Sequence, residues 1–375
     1  MIKDCKNKFI KFLSIISSII SISAFIIFFP FLLINNSESI CLIATSFVLP
    51  HNISLPHINN VPQKNKKIDI FSDLMKFENK SNSHKQENIC PDDTNILEII
   101  NSVPSFELHH ELNEPTNKII ECSFGATGTH YENIFINNKT NVDINIPEKL
   151  NERPDINIKK DGTPQVLIIH THTTEAYIDK DQGFYYQSFS PRTRDNNYNV
   201  VKVGDAICKS LENSGIKCLH DTTCHDDPAY TGSYKRSEET ISKNLQKYPS
   251  IQVVLDIHRD TIDNKEKNKI KPTFTYNNRK GAQIMIISGC DENGKLDFPD
   301  WKYNLSFALR LHKQVESMYP GMTRALLFKE ARYNMHKTHG SLLIEVGSDV
   351  NTLNEAVYSG ALLGKALGNV LNSLV

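Results

Sequence analysis

Apolar residues are spaced differently in the two halves of this chain. After Gly162, short apolar runs alternate with helical patterns. Val166 to Ile169 reads as a strand, and between Asn199 and Ser214 the residues Val200, Val203, Ala206, Ile207 and Leu211 share one helical face, with Gly215 as the stop. Ile216 to Leu219 is a second short strand. Ser237 to Tyr248 sets Ile241 and Leu245 at helical spacing and ends before Pro249, and Ile251 to Ile257 is a β-branched run. Ala282 to Ile287 and Ser341 to Val346 predict further strands, Asn304 to Met318 a helix, and Leu353 through Ala361 to Leu374 a last helix. Such alternation predicts an α/β domain over 162–375, built on a mostly parallel sheet with helices on both faces.

The preceding residues follow another pattern. Lys3, Lys6, Lys8 and Lys11 stand against the single acid Asp4, and Phe12 to Ile34 then runs without a charge. At about 1.5 Å per residue this run covers roughly 34 Å, against a hydrocarbon core of about 30 Å. It predicts a transmembrane anchor at 12–34, with 1–11 as a short basic cytoplasmic segment and the rest of the chain outside. A cleaved signal peptide is the competing reading, but Asn35, Asn36, Ser37 and Glu38 follow where a small-x-small site is needed. Residues 35–161, rich in Asn, Lys, Ser and Pro, read as an extracytoplasmic stalk, partly disordered, with candidate short strands at Ile119 to Phe124 and Ile134 to Ile136.

Charge and cysteine usage narrow the class. A formal net charge of −1 over 375 residues gives no reason to expect nucleic acid as a partner. None of the eight cysteines forms a C-x-x-C pair, which argues against a zinc ribbon or a thioredoxin-type motif. Cys218 and Cys224 are close enough in sequence to pair across a loop, and buried unpaired thiols are the expectation for most of the others.

The chemistry gathers where apolar runs end. Val166 to Ile169 opens into His170, His172 and Glu175, the run to Ile257 ends in His258, and the run from Ser341 reaches Glu345. Open α/β sheets hold their sites at such carboxyl ends. The H-x-x-E spacing of His172 and Glu175, with His258, offers two imidazoles and a carboxylate, a ligand set that leaves the fourth position of a catalytic zinc to water. Glu345 is then the candidate base, and the chemistry is metal-assisted amide hydrolysis. Asp256 or Asp260 is placed to orient an imidazole, and Arg259 to hold a substrate carboxylate. His170, two residues before His172, is a rival ligand. His225, Tyr230, Tyr234 and Arg236, in the loop HDDPAYTGSYKRS, and Asn334 are candidates for the cleft wall, and His339 for a donor on the oxyanion side.

Four blocks, HTHTTEAY at 170–177, HDDPAYTGSYKRS at 225–237, YPSIQVVLDIHRD at 248–260 and ARYNMHKTHGSLLIEVGSDVNTLNEA at 331–356, together resemble the stage II sporulation protein P family. The resemblance covers 162–375 and implies a membrane-anchored peptidoglycan hydrolase of endospore-forming bacteria, with the fold of zinc-dependent N-acetylmuramoyl-L-alanine amidases. It implies Zn2+ as cofactor, with His172, His258 and Glu345 at the positions of the family's site residues. For the third ligand, Glu175 is the candidate, because the amidase first helix offers Asn199 here; Asn199 and His170 stay open. The implied reaction is cleavage of the amide between N-acetylmuramic acid and L-alanine, with peptide cross-links as a second target. Implied partners are the stage II sporulation proteins D and M, at the mother-cell membrane that engulfs the forespore. A zinc carboxypeptidase or endopeptidase acting on stem peptides alone, and a non-catalytic wall-binding scaffold, are the alternatives.

Overall fold

The computed structural model describes residues 91–375 apart from 112 and 126. The expected cytoplasmic segment, the anchor at 12–34 and the first part of the expected stalk lie outside the described residues, as do Cys5, Cys41 and Cys90. Among the described residues no helix is long and apolar enough to cross a membrane. The chain runs through α1 (Pro91–Asn101), β1 (Thr116–Cys122), β2 (Thr129–Tyr131), β3 (Ile134–Asn138), α2 (Ile146–Asn151), β4 (Val166–Ile169), β5 (Phe184–Tyr186), α3 (Val200–Asn213), β6 (Cys218–His220) and α4 (Ser233–Lys247). It continues through β7 (Val253–Asp260), β8 (Lys269–Tyr276), β9 (Arg279–Ala282), β10 (Ile284–Cys290), α5 (Trp301–Met318), β11 (Leu326–Glu330), a 3-10 turn at Met335–Lys337, β12 (Gly340–Ser348) and α6 (Leu353–Asn372).

All four β4 side chains are fully buried, which is why this strand reads as an unbroken apolar run. Val166 and Ile168 join the core with Val203 and Ile207 of α3 and Leu363 of α6, whereas Leu167 and Ile169 meet Ile241 of α4 on the opposite face. Helices therefore cover both faces, as the alternation predicts. α3 starts where Asn199 accepts a hydrogen bond from the Val201 amide at 2.9 Å. α6 starts with a capping box, Thr352 Oγ1 accepting from the Glu355 amide and Glu355 Oε2 from the Thr352 amide.

The main sheet has the order β2-β3-β11-β10-β12-β7-β4-β6. β6, β4, β7 and β12 are parallel neighbours, but β10 runs antiparallel to β12, with β11 and β3 parallel to β10. The sheet is thus mixed rather than mostly parallel. After β7 the chain leaves this sheet, forms the β8–β9 hairpin in a four-stranded sheet of order β5-β1-β8-β9, and returns as β10 in the opposite direction. Strand direction leaves no mark on hydrophobic periodicity, so only the tertiary pairing decides it.

In the stretch 116–161, expected within the stalk, the candidate strands at Ile119 to Phe124 and Ile134 to Ile136 form as β1 and β3, but the stretch packs into the folded domain. β1 pairs with β8, β3 with β11, and Ile146, Ile156 and Ile158 are buried in the main core. Its strands satisfy their backbone groups against partners far away in sequence, which no local window reveals. Buried Lys271 ties the second sheet to α6, with its Nζ 2.8 Å from both Glu355 Oε1 and Asp181 Oδ1.

The cysteine pairing is a further correction. Cys208 on α3 is bonded to Cys218 on β6, with their Cα atoms 5.4 Å apart, and Cys224 is free. Cys208 stands on the edge of α3 that faces the returning strand, so the helix-to-strand turn sets the partner. The double variant Cys208→Ser/Cys218→Ser is expected to lose about 2–3 kcal/mol of stability, the chain-entropy estimate for so short a loop. Urea unfolding of parent and variant, with and without reductant, measures it; an unchanged midpoint would show that the bond adds nothing.

His312 is fully buried beside Thr323, whose Oγ1 lies 3.1 Å from its Nε2, and burial lowers its pKa to about 4. The folded value lies below the unfolded value of about 6.5, so this neutral imidazole contributes full stability above pH 6.5. That contribution falls away as pH drops towards 4, by up to about 3 kcal/mol. His312→Gln should therefore flatten the acid limb of stability against pH, measured as urea midpoints from pH 7 to 4.5.

Candidate functional site

β12, β7 and β4 are neighbours and end on the same side of the sheet. Along β7 the side chains of Leu255 and Ile257 enter the main core, so the period of two turns Asp256 and His258 to the α4 face. The parallel register sets Glu345 of β12 directly beside His258. Beyond Ile169 the chain leaves the extended conformation, and two hydrogen bonds to Asp256 fasten the turn. The Thr171 amide donates to Oδ1 at 2.8 Å, and its hydroxyl to Oδ2 at 2.6 Å.

This turn brings His172 and Glu175 to His258. The His172 and His258 rings stand edge to face with centroids 5.2 Å apart, and Glu175 Oε2 lies 3.4 Å from His258 Nδ1. Glu175 Oε2 also accepts from the Arg259 amide at 3.2 Å. All three residues are more than nine-tenths buried. His258 Nε2 lies 2.9 Å from Asp256 Oδ1, an ion contact outside ideal hydrogen-bonding geometry. Glu345 Oε2 is buried with no hydrogen-bond partner among the described residues.

The charges of the cluster depend on one another. Burial opposes a charged His258, yet the carboxylates of Asp256 and Glu175 outweigh it and hold its pKa well above the ordinary imidazole value. Burial likewise raises Glu175 and Asp256, but the neighbouring His258 holds both below the usual carboxylate range. Glu345 goes the other way. Burial first, then repulsion from Glu175 and Asp260, pushes its pKa up to about 8 against the pull of His258 and Arg324. His172 is lowered by burial and by the His258 charge.

Among the described residues no group of three or more His, Cys, Asp or Glu side chains is gathered as a ready metal cage. The donors nonetheless fit zinc by type, two imidazoles and a carboxylate. The cluster is buried, His258 turns Nδ1 rather than the Asp256-paired Nε2 towards Glu175, and Glu345 Oε2, without a partner among the described residues, leaves hydrogen-bonding capacity that a metal-bound water would use.

Other sequence candidates fall into supporting places. His170 turns away from His172: its Nδ1 lies 2.9 Å from Ile257 O, its Nε2 2.8 Å from His220 Nε2, and burial holds its pKa at about 3. The two-residue spacing fails because the strand ends at Ile169. Asn199 is occupied as the α3 cap, its Nδ2 donating to Thr193 O at 3.1 Å. Arg259, placed by sequence at a substrate carboxylate, is buried and gives its side-chain nitrogens to Ala176 O, Thr261 Oγ1 and Pro191 O, which pins the loop carrying Glu175. Asp260 pairs with Arg324 at 2.9 Å, leaving Asp256 as the acid beside His258. His225 is buried between His170 O and Thr240 Oγ1, and Arg236 holds the same loop through His225 O, Thr231 O and Ala229 O. Asn334 donates to Tyr234 O and Ser237 Oγ. Tyr234 does reach the site, edge to face with His172 at 5.6 Å. His339 precedes the first residue of β12, at the opposite end of the strand from Ser348, and bonds Asp155 at 2.7 Å.

Two residues at the cluster, Arg192 and Asp226, went unread in the sequence, and they adjoin Tyr230 of the expected loop. The half-exposed Tyr230 ring stacks on His172 at 4.2 Å, and Arg192 lies over Tyr230 at 5.1 Å. Asp226 accepts from Arg192 Nη1 at 2.8 Å and from the Thr174 hydroxyl at 2.6 Å. Tyr230 and Asp226 sit in a quoted block, but Arg192 lies in a polar loop with no periodic signal.

Fold and site together define a mixed α/β protein with an imidazole–carboxylate cluster at the carboxyl ends of adjacent parallel strands. The family model for stage II sporulation protein P matches residues 53–368, and the chain belongs to that family. A curated relative, the stage II sporulation protein P of Bacillus subtilis (strain 168), is 28% identical over 201 residues, 51% of this chain and 47% of the relative. The chain therefore spans about half the length of that relative in the match. Solved structures with some likeness include the N-acetylmuramoyl-L-alanine amidase AmiC2 of Nostoc punctiforme, 11% identical over 58% of this chain and 97% of that one, with a TM-score of 0.32. Another is the CwlD amidase from Clostridioides difficile in complex with the GerS lipoprotein, 13% identical over 56% of this chain and 99% of that one, with a TM-score of 0.33.

Proposed function

We propose that this chain is a zinc-dependent peptidoglycan hydrolase of sporulation that cleaves the amide between N-acetylmuramic acid and L-alanine. The observation that carries the reading is the alignment of His258 with Glu345 on neighbouring strands, with His172 and Glu175 folded against His258. Family membership supports it.

His172, Glu175 and His258 would hold the metal. When bound, zinc polarises a carbonyl oxygen and lowers the pKa of water towards roughly 7. Glu345 takes the proton from the attacking water and hands it to the departing nitrogen. Asp256 orients His258 while fastening Thr171, so one carboxylate sets both the imidazole and the turn that carries His172. Peptide cross-links are a second target on this reading.

The anchor at 12–34 would hold the domain outside the mother-cell membrane, with the stage II sporulation proteins D and M as partners. The Cys208–Cys218 bond supports an extracytoplasmic site, since disulfides persist in oxidising compartments. The deciding experiment measures zinc content and release of peptide from purified cell wall by the full chain. About one zinc per chain with release of peptides from muramic acid supports the amidase. Split cross-links with peptide still attached to glycan would make it an endopeptidase, and no zinc with no cleavage would make it a scaffold.

A further inference from the structure

Beside the cluster the chain forms a groove. Residues 103–111 cross the loops that follow Glu175 as a strap: the Leu108 amide donates to Asp179 Oδ2 at 2.8 Å, Phe106 packs on Tyr198 at 4.6 Å, and His110 stacks on Tyr186 at 3.9 Å. Under the strap lie two cavities of about 360 and 380 Å³, each lined by Leu108 and Arg192. The larger also reaches Ala176, the neighbour of Glu175. No residue of the cluster itself lines either cavity; Arg192, which lines both and reaches to 3.9 Å from Glu175 Oε1, is the side chain that links them to it.

Arg192 has a donor to spare. Its Nη1 is held by Asp226 at 2.8 Å and Thr174 Oγ1 at 3.1 Å, which fixes the guanidinium plane. Its Nη2 approaches Glu175 Oε1 only to 3.9 Å, too far for a hydrogen bond. Of the two acids that line the first cavity, Glu107 pairs with Lys180 at 2.7 Å and Asp179 accepts the Leu108 amide. A fixed guanidinium with an open Nη2 favours a planar carboxylate, and the apolar wall at Leu108, Ile178 and Phe189 suits the short side chains beside it.

We propose that this groove binds the peptide part of the substrate, a short acidic peptide, and that Arg192 recognises its carboxylate close to the scissile amide. The assignment rests on the hydrolase reading for its ligand. Its test separates the two, because binding and cleavage are measured apart.

The probes are two synthetic N-acetylmuramoyl tripeptides, identical except that the residue after L-alanine carries a free carboxylate in one and a carboxamide in the other. Calorimetric binding to the full zinc-loaded chain should favour the carboxylate by about ten- to a hundredfold, the range of one charge-assisted hydrogen bond. Arg192→Gln should remove that preference, and Arg192→Lys should keep part of it. Leu108→Ala should weaken both probes by the same factor. Equal affinity of the parent for the two probes, or a preference that survives Arg192→Gln, overturns the assignment. If neither probe is cleaved while the preference is present and is lost in Arg192→Gln, the hydrolase reading fails and the groove assignment stands.

Discussion

Glu345→Gln is expected to lower kcat by about 10²- to 10⁴-fold, the usual contribution of a positioned acid or base, while zinc content stays at the parent level. Glu345 is set by the β12–β7 register beside His258, and its Oε2 has no partner among the described residues. The glutamine keeps the shape and removes the ability to take a proton. Metal analysis and single-turnover cleavage of the same preparation provide the check, and full turnover by the variant would remove Glu345 from its role. In the metal-free chain burial and the neighbouring acids push the Glu345 pKa up to about 8. A divalent cation nearby lowers the pKa of a carboxyl group, so zinc loading should shift its titration downward.

His258→Ala is expected to remove zinc and activity together and also to destabilise the fold. Asp256 and Glu175 are buried on either side of His258, with oxygens 2.9 and 3.4 Å from its two nitrogens. Without the imidazole two carboxylates remain buried with no cation between them, and breaking a buried pair in this way costs about 3–5 kcal/mol. His172→Ala should lose zinc as well but cost less stability, because His172 holds no carboxylate: it packs on the rings of Tyr230, Tyr234 and His258 and lies near the hydroxyl of Ser233. Urea unfolding beside metal analysis separates the two variants; equal stability of both would show that His258 does not hold the carboxylates. The raised pKa of His258 also gives a sign for pH. The metal-free imidazole carries a proton at neutral pH, and zinc needs it neutral. Zinc uptake should therefore release a proton, and affinity should fall as pH falls, which calorimetry in two buffers measures.

The sequence alone was enough to find β4, β7, β12 and the helices α3 to α6. Burial on both faces writes an apolar run, and a covered helix face writes a period near 3.6, and both are local signals. The same locality made His172, Glu175, His258 and Glu345 legible as polar groups leaving apolar strands.

Tertiary structure decided what depends on partners distant in the chain. The reversed direction of β10 and the entry of β1 and β3 into the two sheets follow from backbone hydrogen bonds, which leave side-chain periodicity unchanged. Cys208 rather than Cys224 meets Cys218 because α3 packs back beside β6. His170 and Arg259 carry the right chemistry for a site, yet the turn after Ile169 sends the first to Ile257 O and the loop above β7 takes up the second. Arg192 had no sequence signal, because its place between cluster and groove exists only once the loops after β4 and the strap at 103–111 have folded over one another.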